Sequence, residues 1–155
     1  MRITMTDWIH RVLDEYIKEG DCCIDATMGN GNDTVLLSRL AGENGRVLAF
    51  DIQKQALEHT EERLKKDDCP ENYQLFLDSH ENMAAYAEAE TVSCITFNLG
   101  YLPGGDHSVA TRADSSKRAV ESGLTLLKKG GLMTICIYSG GDTGFQERDA
   151  MLSFI

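Results

Sequence analysis

The chain alternates between short continuous apolar runs and longer segments in which apolar residues recur every three or four positions. Short apolar runs bounded by turn residues are typical of buried strands, and the three-to-four-residue spacing is typical of helices. Because the two kinds alternate, we predict an α/β fold with a mostly parallel sheet and helices on both faces. The predicted strands are 22–26, 46–52, 73–78, 92–98 and 132–138. The predicted helices are 8–17, a segment through Val35, Leu36 and Leu40 that ends near Gly42, 55–66 and 115–129.

Length, apolar content and cysteine spacing narrow the class of protein. The 155 residues contain no linker, internal repeat or low-complexity tract, so we predict a single domain over residues 1–155. No apolar run approaches the ~20 residues that cross a bilayer, and residues 1–16 lack the apolar centre of a signal peptide. We therefore expect a cytoplasmic protein without membrane contact. The five cysteines are scattered with no C-x-x-C pair, which favours structural thiols over a metal site.

Polar residues stand at or near the carboxyl ends of the predicted strands. In a mostly parallel sheet these ends meet along one edge, where ligands bind. Burial alone does not require polar side chains there, so we predict a ligand site at this edge. The residues concerned are Asp25, Asp51, Asp78, Asn98 and Tyr138.

A glycine-containing loop, DATMGNGNDT, joins the first predicted strand to a helix. Gly29 and Gly31 allow a tight turn, but Thr34 stands where the dinucleotide fingerprint G-x-G-x-x-G has its third glycine. Asp25 and Asp33 flank the turn and would repel a pyrophosphate, whereas the sulfonium and ammonium groups of S-adenosylmethionine suit acidic surroundings. The pattern therefore favours S-adenosylmethionine over NAD.

Two further strand ends complete the predicted nucleoside site. Asp51 lies about twenty residues after the glycine loop, where a carboxylate accepts hydrogen bonds from both ribose hydroxyls. Asp78, with Ser79 and His80, is placed to address the adenine amino group. For any one of these carboxylates the alternative is a loop or helix cap, but several at successive strand ends favour a nucleoside cofactor.

The segment NLGYLPGGDH follows the fourth predicted strand and resembles the Asn/Asp-Pro-Pro-Tyr turn of amino-group methyltransferases. The carbonyl of Asn98 can accept the hydrogens of an amine and aim its lone pair, and the ring of Tyr101 can stabilise developing positive charge. Glycines and Pro103 let the backbone turn sharply. Asp106 and His107 are the candidates for taking the proton of the amine. The alternative for these two is a turn cap and a solvated histidine.

Four segments together resemble one family of small class I methyltransferases that has long carried the label of rRNA methylases: GDCCIDATMGNGNDT, RVLAFDIQ, FNLGYLPGGDHSVATR and IYSGGDTGFQER. The resemblance covers nearly the whole chain. The family includes the bacterial tRNA 5-aminomethyl-2-thiouridine methyltransferase, which completes the methylaminomethyl group of the wobble uridine. The resemblance implies a class I Rossmann-like fold, S-adenosylmethionine as methyl donor and a tRNA anticodon stem-loop as substrate, and it suggests a homodimer.

The resemblance also implies roles for residues at matching positions. The cofactor-binding residues would be Asp25, Gly29, Asn30, Gly31, Asp33, Thr34, Asp51, Gln53, Ser79 and His80. The catalytic residues would be Asn98, Tyr101, Asp106 and His107. The other substrate-binding residues would be Leu102, Pro103, Thr111, Arg112, Tyr138 and Gly140. His10 matches a histidine that recurs in the family, and a purely structural role for it stays open.

The chain departs from the family pattern in two ways. Many relatives have a histidine after the Tyr-x-Gly of the fifth strand, where this chain has Gly141, so no catalytic role is assigned there. Family members also continue past residue 155 with two more strands, so we expect C-terminal strands to be missing from this sequence.

Two alternatives remain at this stage. The same chemistry could act on rRNA or on a small-molecule amine, because a net charge of −10 is unfavourable for RNA binding. Arg112, Lys117 and Arg118 are the candidate basic edge that RNA would need. The alternative from another class is a non-catalytic nucleotide-binding or NAD-dependent domain, against which Thr34 and the acidic loop argue.

Overall fold

The computed structural model describes residues 3–99 and 109–137, with side chains from residue 114 onward in the second range. Its helices are α1 Met5–Tyr16, α2 Asn32–Ala41, α3 Lys54–Lys66 and α4 Val109–Leu126, with a 3-10 helix over His80–Ala85. Its strands are β1 Cys22–Asp25, β2 Arg46–Asp51, β3 Tyr73–Leu77, β4 Val92–Leu99 and β5 Leu127–Ile137.

The five strands form one sheet in the order β3-β2-β1-β4-β5, and every neighbouring pair is parallel. The predicted parallel α/β fold is thereby confirmed. The chain proceeds outward from β1 to β3 on one side and then crosses to β4 on the other side of β1. This reversal opens a crevice between the carboxyl ends of β1 and β4, the usual ligand position in open α/β sheets.

Side chains alternate between the two faces along each strand, and the central strands β1, β2 and β4 are buried on both faces. Cys23, Val47 and Cys94 pack on one face, in the core cluster that includes residues of α1 and α2. Their neighbours Ile24 and Leu48 pack on the other face, against α4 and the 3-10 helix. The buried Cys23 and Cys94 behave as small apolar residues, and burial raises the pKa of the Cys94 thiol to about 12.

Local signals explain where α1 and α2 begin. Thr4 and Asp7 form a reciprocal capping box, in which each side chain accepts from the backbone N–H of the other at 3.1 and 3.2 Å. Ile9 and Leu13 then form the buried stripe of α1. Helix α2 follows Gly31, whose φ of +85° favours glycine.

The boundary between α4 and β5 differs from the prediction. Helix α4 ends at Leu126 and β5 begins at Leu127, whereas the sequence pattern placed Lys128 to Gly131 at the end of a helix over 115–129. The helix stops early because the carbonyls of its last two residues, Thr125 and Leu126, accept from the backbone N–H groups of Glu90 and Thr91. The residues after Leu127 then form an irregularity in β5, and regular pairing with β4 resumes at Leu132.

Helix α4 also begins at Val109, earlier than the predicted residue 115, and the 3-10 helix was not predicted. None of the helices in the described ranges is both long enough and apolar enough to traverse a bilayer.

Candidate active site

The loop after β1 connects three strand ends at the crevice. The backbone N–H of Ala26 donates to the carbonyl of Thr96 on β4, and that of Met28 donates to the carbonyl of Phe50 on β2. The hydroxyl of Thr27 accepts from the backbone N–H of Asn98 at 2.7 Å. The glycine loop and the end of β4 are therefore parts of one hydrogen-bonded structure, and Thr27 is a contributor that the sequence reasoning missed.

The two glycines of this loop have different surroundings. Gly31 packs against α3, where an added Cβ would lie 3.1 Å from the Thr60 hydroxyl oxygen and 3.2 Å from its Cα. Gly29 has φ +50°, and a Cβ there would meet nothing closer than the Thr27 carbonyl oxygen at 3.8 Å. The space beside the Gly29 backbone is thus open, whereas Gly31 fits the loop to the fold. The neighbouring Asn30 is exposed, and its carbonyl accepts from Arg63.

Asp51 links the end of β2 to the glycine loop. Its carboxylate accepts from the backbone N–H of Gly29 at 3.1 Å and from that of Gln53, the residue before α3, at 2.9 Å. Burial raises the pKa of Asp51, and these backbone hydrogen bonds oppose the rise. Each carboxylate oxygen retains acceptor capacity beyond its one bond to the loop, which suits a pair of ribose hydroxyls.

Two exposed apolar side chains lie beside this carboxylate. Ile52 directly follows Asp51 and is 70% exposed, while Leu77, the register partner of Asp51 on β3, is 54% exposed. An exposed apolar surface beside a carboxylate matches a nucleoside, which presents a flat apolar base next to ribose hydroxyls. The sequence reasoning missed both residues, although a large apolar residue next to a strand-end aspartate was the available signal.

Asp78 organises its own loop. Its carboxylate accepts from the backbone N–H of Ser79 at 2.7 Å, the amide of Asn82 at 2.8 Å and the hydroxyl of Tyr86 at 2.6 Å. The Tyr86 hydrogen bond is the main cause that lowers the pKa of Asp78. This matches the alternative interpretation of Asp78 as a cap, and a direct contact with an adenine stays a prediction.

Ser79 and His80 lie beside that loop, close to the crevice. The Ser79 hydroxyl accepts from the backbone N–H of Glu81, and it also lies 3.3 Å from the hydroxyl of Ser115 on α4. The His80 ring packs near Phe97, and burial lowers its pKa to about 4, so the imidazole is neutral at physiological pH. Its buried Nδ1 has no hydrogen-bond partner within residues 3–99 and 109–137. A buried ring nitrogen of this kind can receive a hydrogen bond from a ligand.

Asp25 and Thr34 lie beneath the crevice. Neither has exposed surface, and the Thr34 hydroxyl donates to the Asp25 carboxylate at 2.6 Å. Asp25 also accepts from the backbone N–H of Thr27 at 3.2 Å, so it supports the loop from below. Burial and the nearby charge of Asp33 raise the pKa of Asp25 to about 7. Their complete burial limits both side chains to an indirect part in any site here.

The pKa of Asp25 predicts a pH-dependent effect of Asp25→Asn. Between pH ~4 and ~7 folded Asp25 retains a proton that the unfolded residue has lost, so this group contributes less stability as pH rises. Asparagine does not titrate, so the unfolding free energy of the variant relative to the wild type should increase with pH, by at most ~1.4 kcal/mol per pH unit. Urea unfolding at pH 5, 6 and 7 measures this difference. A difference that stays constant with pH would contradict the assignment.

A second carboxylate connects two distant segments at the mouth of the crevice. Asp33, at the start of α2, accepts from the side-chain amide nitrogen of Asn98 at 2.6 Å. Its other oxygen lies 2.7 Å from Nε2 of His10 on α1. The structure therefore brings together Asn98, predicted as catalytic, Asp33, predicted as cofactor-binding, and His10, whose role was left open.

The remaining predicted residues lie outside what the structure describes. The backbone of Thr111 and Arg112 is part of α4, but their side chains are not described. The others outside the described residues are Tyr101, Leu102, Pro103, Asp106, His107, Tyr138 and Gly140.

Comparisons with known proteins agree with this fold. The model of the family described as "Putative rRNA methylase" matches residues 47–155. The chain is 36% identical over 161 residues to the chloroplastic tRNA (mnm(5)s(2)U34)-methyltransferase of Arabidopsis thaliana, and the match covers 96% of this chain but 58% of that protein. The chain thus spans a little over half the length of this relative.

Two crystal structures extend the comparison. A Clostridium thermocellum protein with the same family description superimposes with a TM-score of 0.90 at 43% identity, covering 99% of this chain and 83% of the other. A methyltransferase from Streptococcus mutans, solved in complex with S-adenosylhomocysteine, gives a TM-score of 0.83 at 36% identity, covering 99% and 82%. The chain belongs to the rRNA methylase family of S-adenosylmethionine-dependent methyltransferases.

Proposed function

We propose that this protein methylates the amino group of 5-aminomethyl-2-thiouridine at the wobble position of tRNA, with S-adenosylmethionine as methyl donor. The observation that carries the proposal is the position of Asn98. Asn98 lies near the carboxyl end of β4, at the crevice. Its backbone N–H donates to the hydroxyl of Thr27 in the glycine loop at 2.7 Å. A side chain that could orient an amine thus lies beside the predicted cofactor loop, and the Arabidopsis relative is named for the same nucleoside.

The residues around the crevice fit the cofactor. Asp51 would hold the ribose hydroxyls, and Ile52 and Leu77 would lie against the base. The backbone of Gly29 would lie close to the bound cofactor. The buried Nδ1 of His80 would receive a hydrogen bond. When bound, S-adenosylmethionine supplies an electrophilic methyl group on a positively charged sulfur.

The contribution of the protein to the reaction is orientation. The Asn98 carbonyl would accept hydrogen bonds from the acceptor amine and aim its lone pair toward the cofactor side of the crevice. Holding the amine and the methyl donor in place converts a bimolecular step into an effectively unimolecular one. This effect can supply much of the rate acceleration without covalent catalysis. Asp106 and His107 remain the proposed proton acceptors, and Tyr101 the ring that stabilises positive charge.

One residue of the basic edge predicted for RNA forms an ion pair within the chain. Arg118 on α4 pairs with Glu81 at 3.2 Å, although its side chain is 56% exposed. Such exposed pairs contribute little energy, so an incoming phosphate can compete for the guanidinium. We propose that tRNA contacts this end of the site, with Lys117 and Arg112 contributing to the same edge.

Methyl transfer from S-[methyl-³H]adenosylmethionine distinguishes the acceptor classes. The acceptors are tRNA carrying unmethylated 5-aminomethyl-2-thiouridine, ribosomal RNA and a simple aminomethyl compound. We expect label in the tRNA only. Preferential label in ribosomal RNA or in the small amine would replace the tRNA assignment with one of those acceptors.

A further inference from the structure

Asp33 holds two side chains from segments far apart in sequence. It is 7% exposed and lies at the start of α2, while its partners Asn98 and His10 come from β4 and α1. The two hydrogen bonds use different oxygens of the carboxylate, at 2.6 Å to Asn98 and 2.7 Å to His10. A carboxylate held on both oxygens cannot rotate without breaking one of these part-buried hydrogen bonds.

The bond to Asp33 fixes which way the Asn98 amide faces. The amide presents its nitrogen to Asp33, whose carboxylate oxygen accepts the hydrogen bond. The nitrogen and oxygen of the amide share one carbon, so the carbonyl oxygen is turned away from Asp33. A flipped amide would put two acceptors against each other at 2.6 Å. The unflipped orientation is the one that an amine acceptor requires, since the carbonyl must receive its hydrogens.

His10 completes the arrangement from the other side. Its Nε2 must carry the hydrogen that Asp33 accepts, which selects this tautomer in the neutral ring. Helix α1 is itself anchored in the core through Ile9 and Leu13, so the imidazole is presented from a fixed element. His10 therefore restrains the carboxylate that restrains Asn98.

We infer that Asp33 and His10 are positioning residues, which hold the Asn98 amide with its carbonyl oxygen directed to the acceptor amine. Asp33 acts here through Asn98 and not through a contact with the cofactor, which revises the role expected from the sequence. This inference rests on the proposed function for the role of Asn98 toward the acceptor.

Exchange of the two partners tests the inference. In Asn98→Asp two carboxylates would face each other, so we expect turnover to fall at least ~30-fold and the melting temperature to fall by about 5 °C. Asp33→Asn alone should lower turnover ~10-fold.

In the double variant the amide introduced at position 33 can donate to the carboxylate introduced at position 98, so the bond re-forms with its polarity reversed. The double variant should recover at least ~10-fold in turnover over Asn98→Asp, together with most of the melting temperature. Asn44→Asp, at an exposed turn residue before β2, adds the same charge away from the crevice and should change neither quantity.

Three results decide the matter. The inference would be overturned if the turnover losses of the two single variants multiplied in the double variant and its melting temperature did not recover. S-adenosylhomocysteine affinity should stay within ~3-fold of the wild type in all three variants. If Asp33→Asn alone weakened this affinity ~10-fold, and the double variant did not restore it, Asp33 would be a cofactor-binding residue instead. The melting-temperature cycle needs no substrate. Recovery there supports the network even where methylation of tRNA fails, and that failure would count against the proposed function alone.

The contribution of His10 is tested by a graded pair of substitutions. His10→Gln keeps an N–H donor near Asp33 and should leave kcat within ~3-fold of the wild type, whereas His10→Ala should lower kcat ~5-fold or more with little change in KM. Equal kcat values for His10→Gln and His10→Ala would show that the donor has no part in positioning.

Discussion

Replacing Asp51 with alanine is expected to weaken S-adenosylhomocysteine binding by at least ~100-fold. The substitution removes the carboxylate proposed to hold the ribose, and hydrogen bonds to charged groups contribute about 1.5–3 kcal/mol each. It also removes the acceptor for the backbone N–H groups of Gly29 and Gln53, so the loop loses its attachment to β2. Isothermal titration calorimetry measures the affinity directly.

The matched control for this variant is Asp14→Ala. Asp14 is exposed on α1, and its replacement removes a carboxylate without touching the crevice. We expect its affinity to equal that of the wild type. Intact affinity in Asp51→Ala would overturn the assignment of the nucleoside site to the ends of β2 and β3.

Replacing Asn98 with alanine is expected to separate binding from chemistry. Turnover should fall at least ~100-fold, because the amine loses the group that aims its lone pair. Affinity for S-adenosylhomocysteine should stay within ~3-fold, since the backbone N–H of residue 98 can still donate to Thr27. Single-turnover methyl transfer, together with calorimetry, measures both quantities.

The same variant has a clear contrary outcome. Normal turnover in Asn98→Ala would show that amine orientation does not depend on this amide. The positioning roles of Asp33 and His10 would then have no chemical consequence, although the hydrogen bonds between them would remain.

The sheet was predictable because its central strands β1, β2 and β4 are buried on both faces. Continuous apolar runs in β2 and β4 indicate parallel strands covered by helices, and the structure confirms that both strands pair in parallel with their neighbours. The boundary between α4 and β5 was not predictable in the same way. Lys128 to Gly131 have the composition of a helix end, yet the carbonyls of Thr125 and Leu126 are taken by the chain entering β4. That tertiary contact leaves no periodic signal in the sequence.

The location of the candidate site was predictable from the sequence, but the role of each residue in it was less so. Acidic residues at strand ends indicated the crevice. Their positions in the sequence could not show that Asp25 is buried beneath the crevice while Asp51 borders it. The pairing of Asp33 with Asn98 joins residues 65 positions apart, and it depends on β4 lying beside β1. His10 could be noticed only as a histidine on a helix, since its carboxylate partner is set by how α1 packs.

Nucleoside mass spectrometry tests the central claim most directly. The substrate is tRNA carrying unmethylated 5-aminomethyl-2-thiouridine, incubated with the protein and S-adenosylmethionine, and the Asn98→Ala variant is run in parallel. We predict conversion of that nucleoside to its methylaminomethyl form by the wild type, and conversion at least ~100-fold slower by the variant. No methyl gain on that nucleoside, in a protein that still binds S-adenosylhomocysteine, would contradict the proposed acceptor.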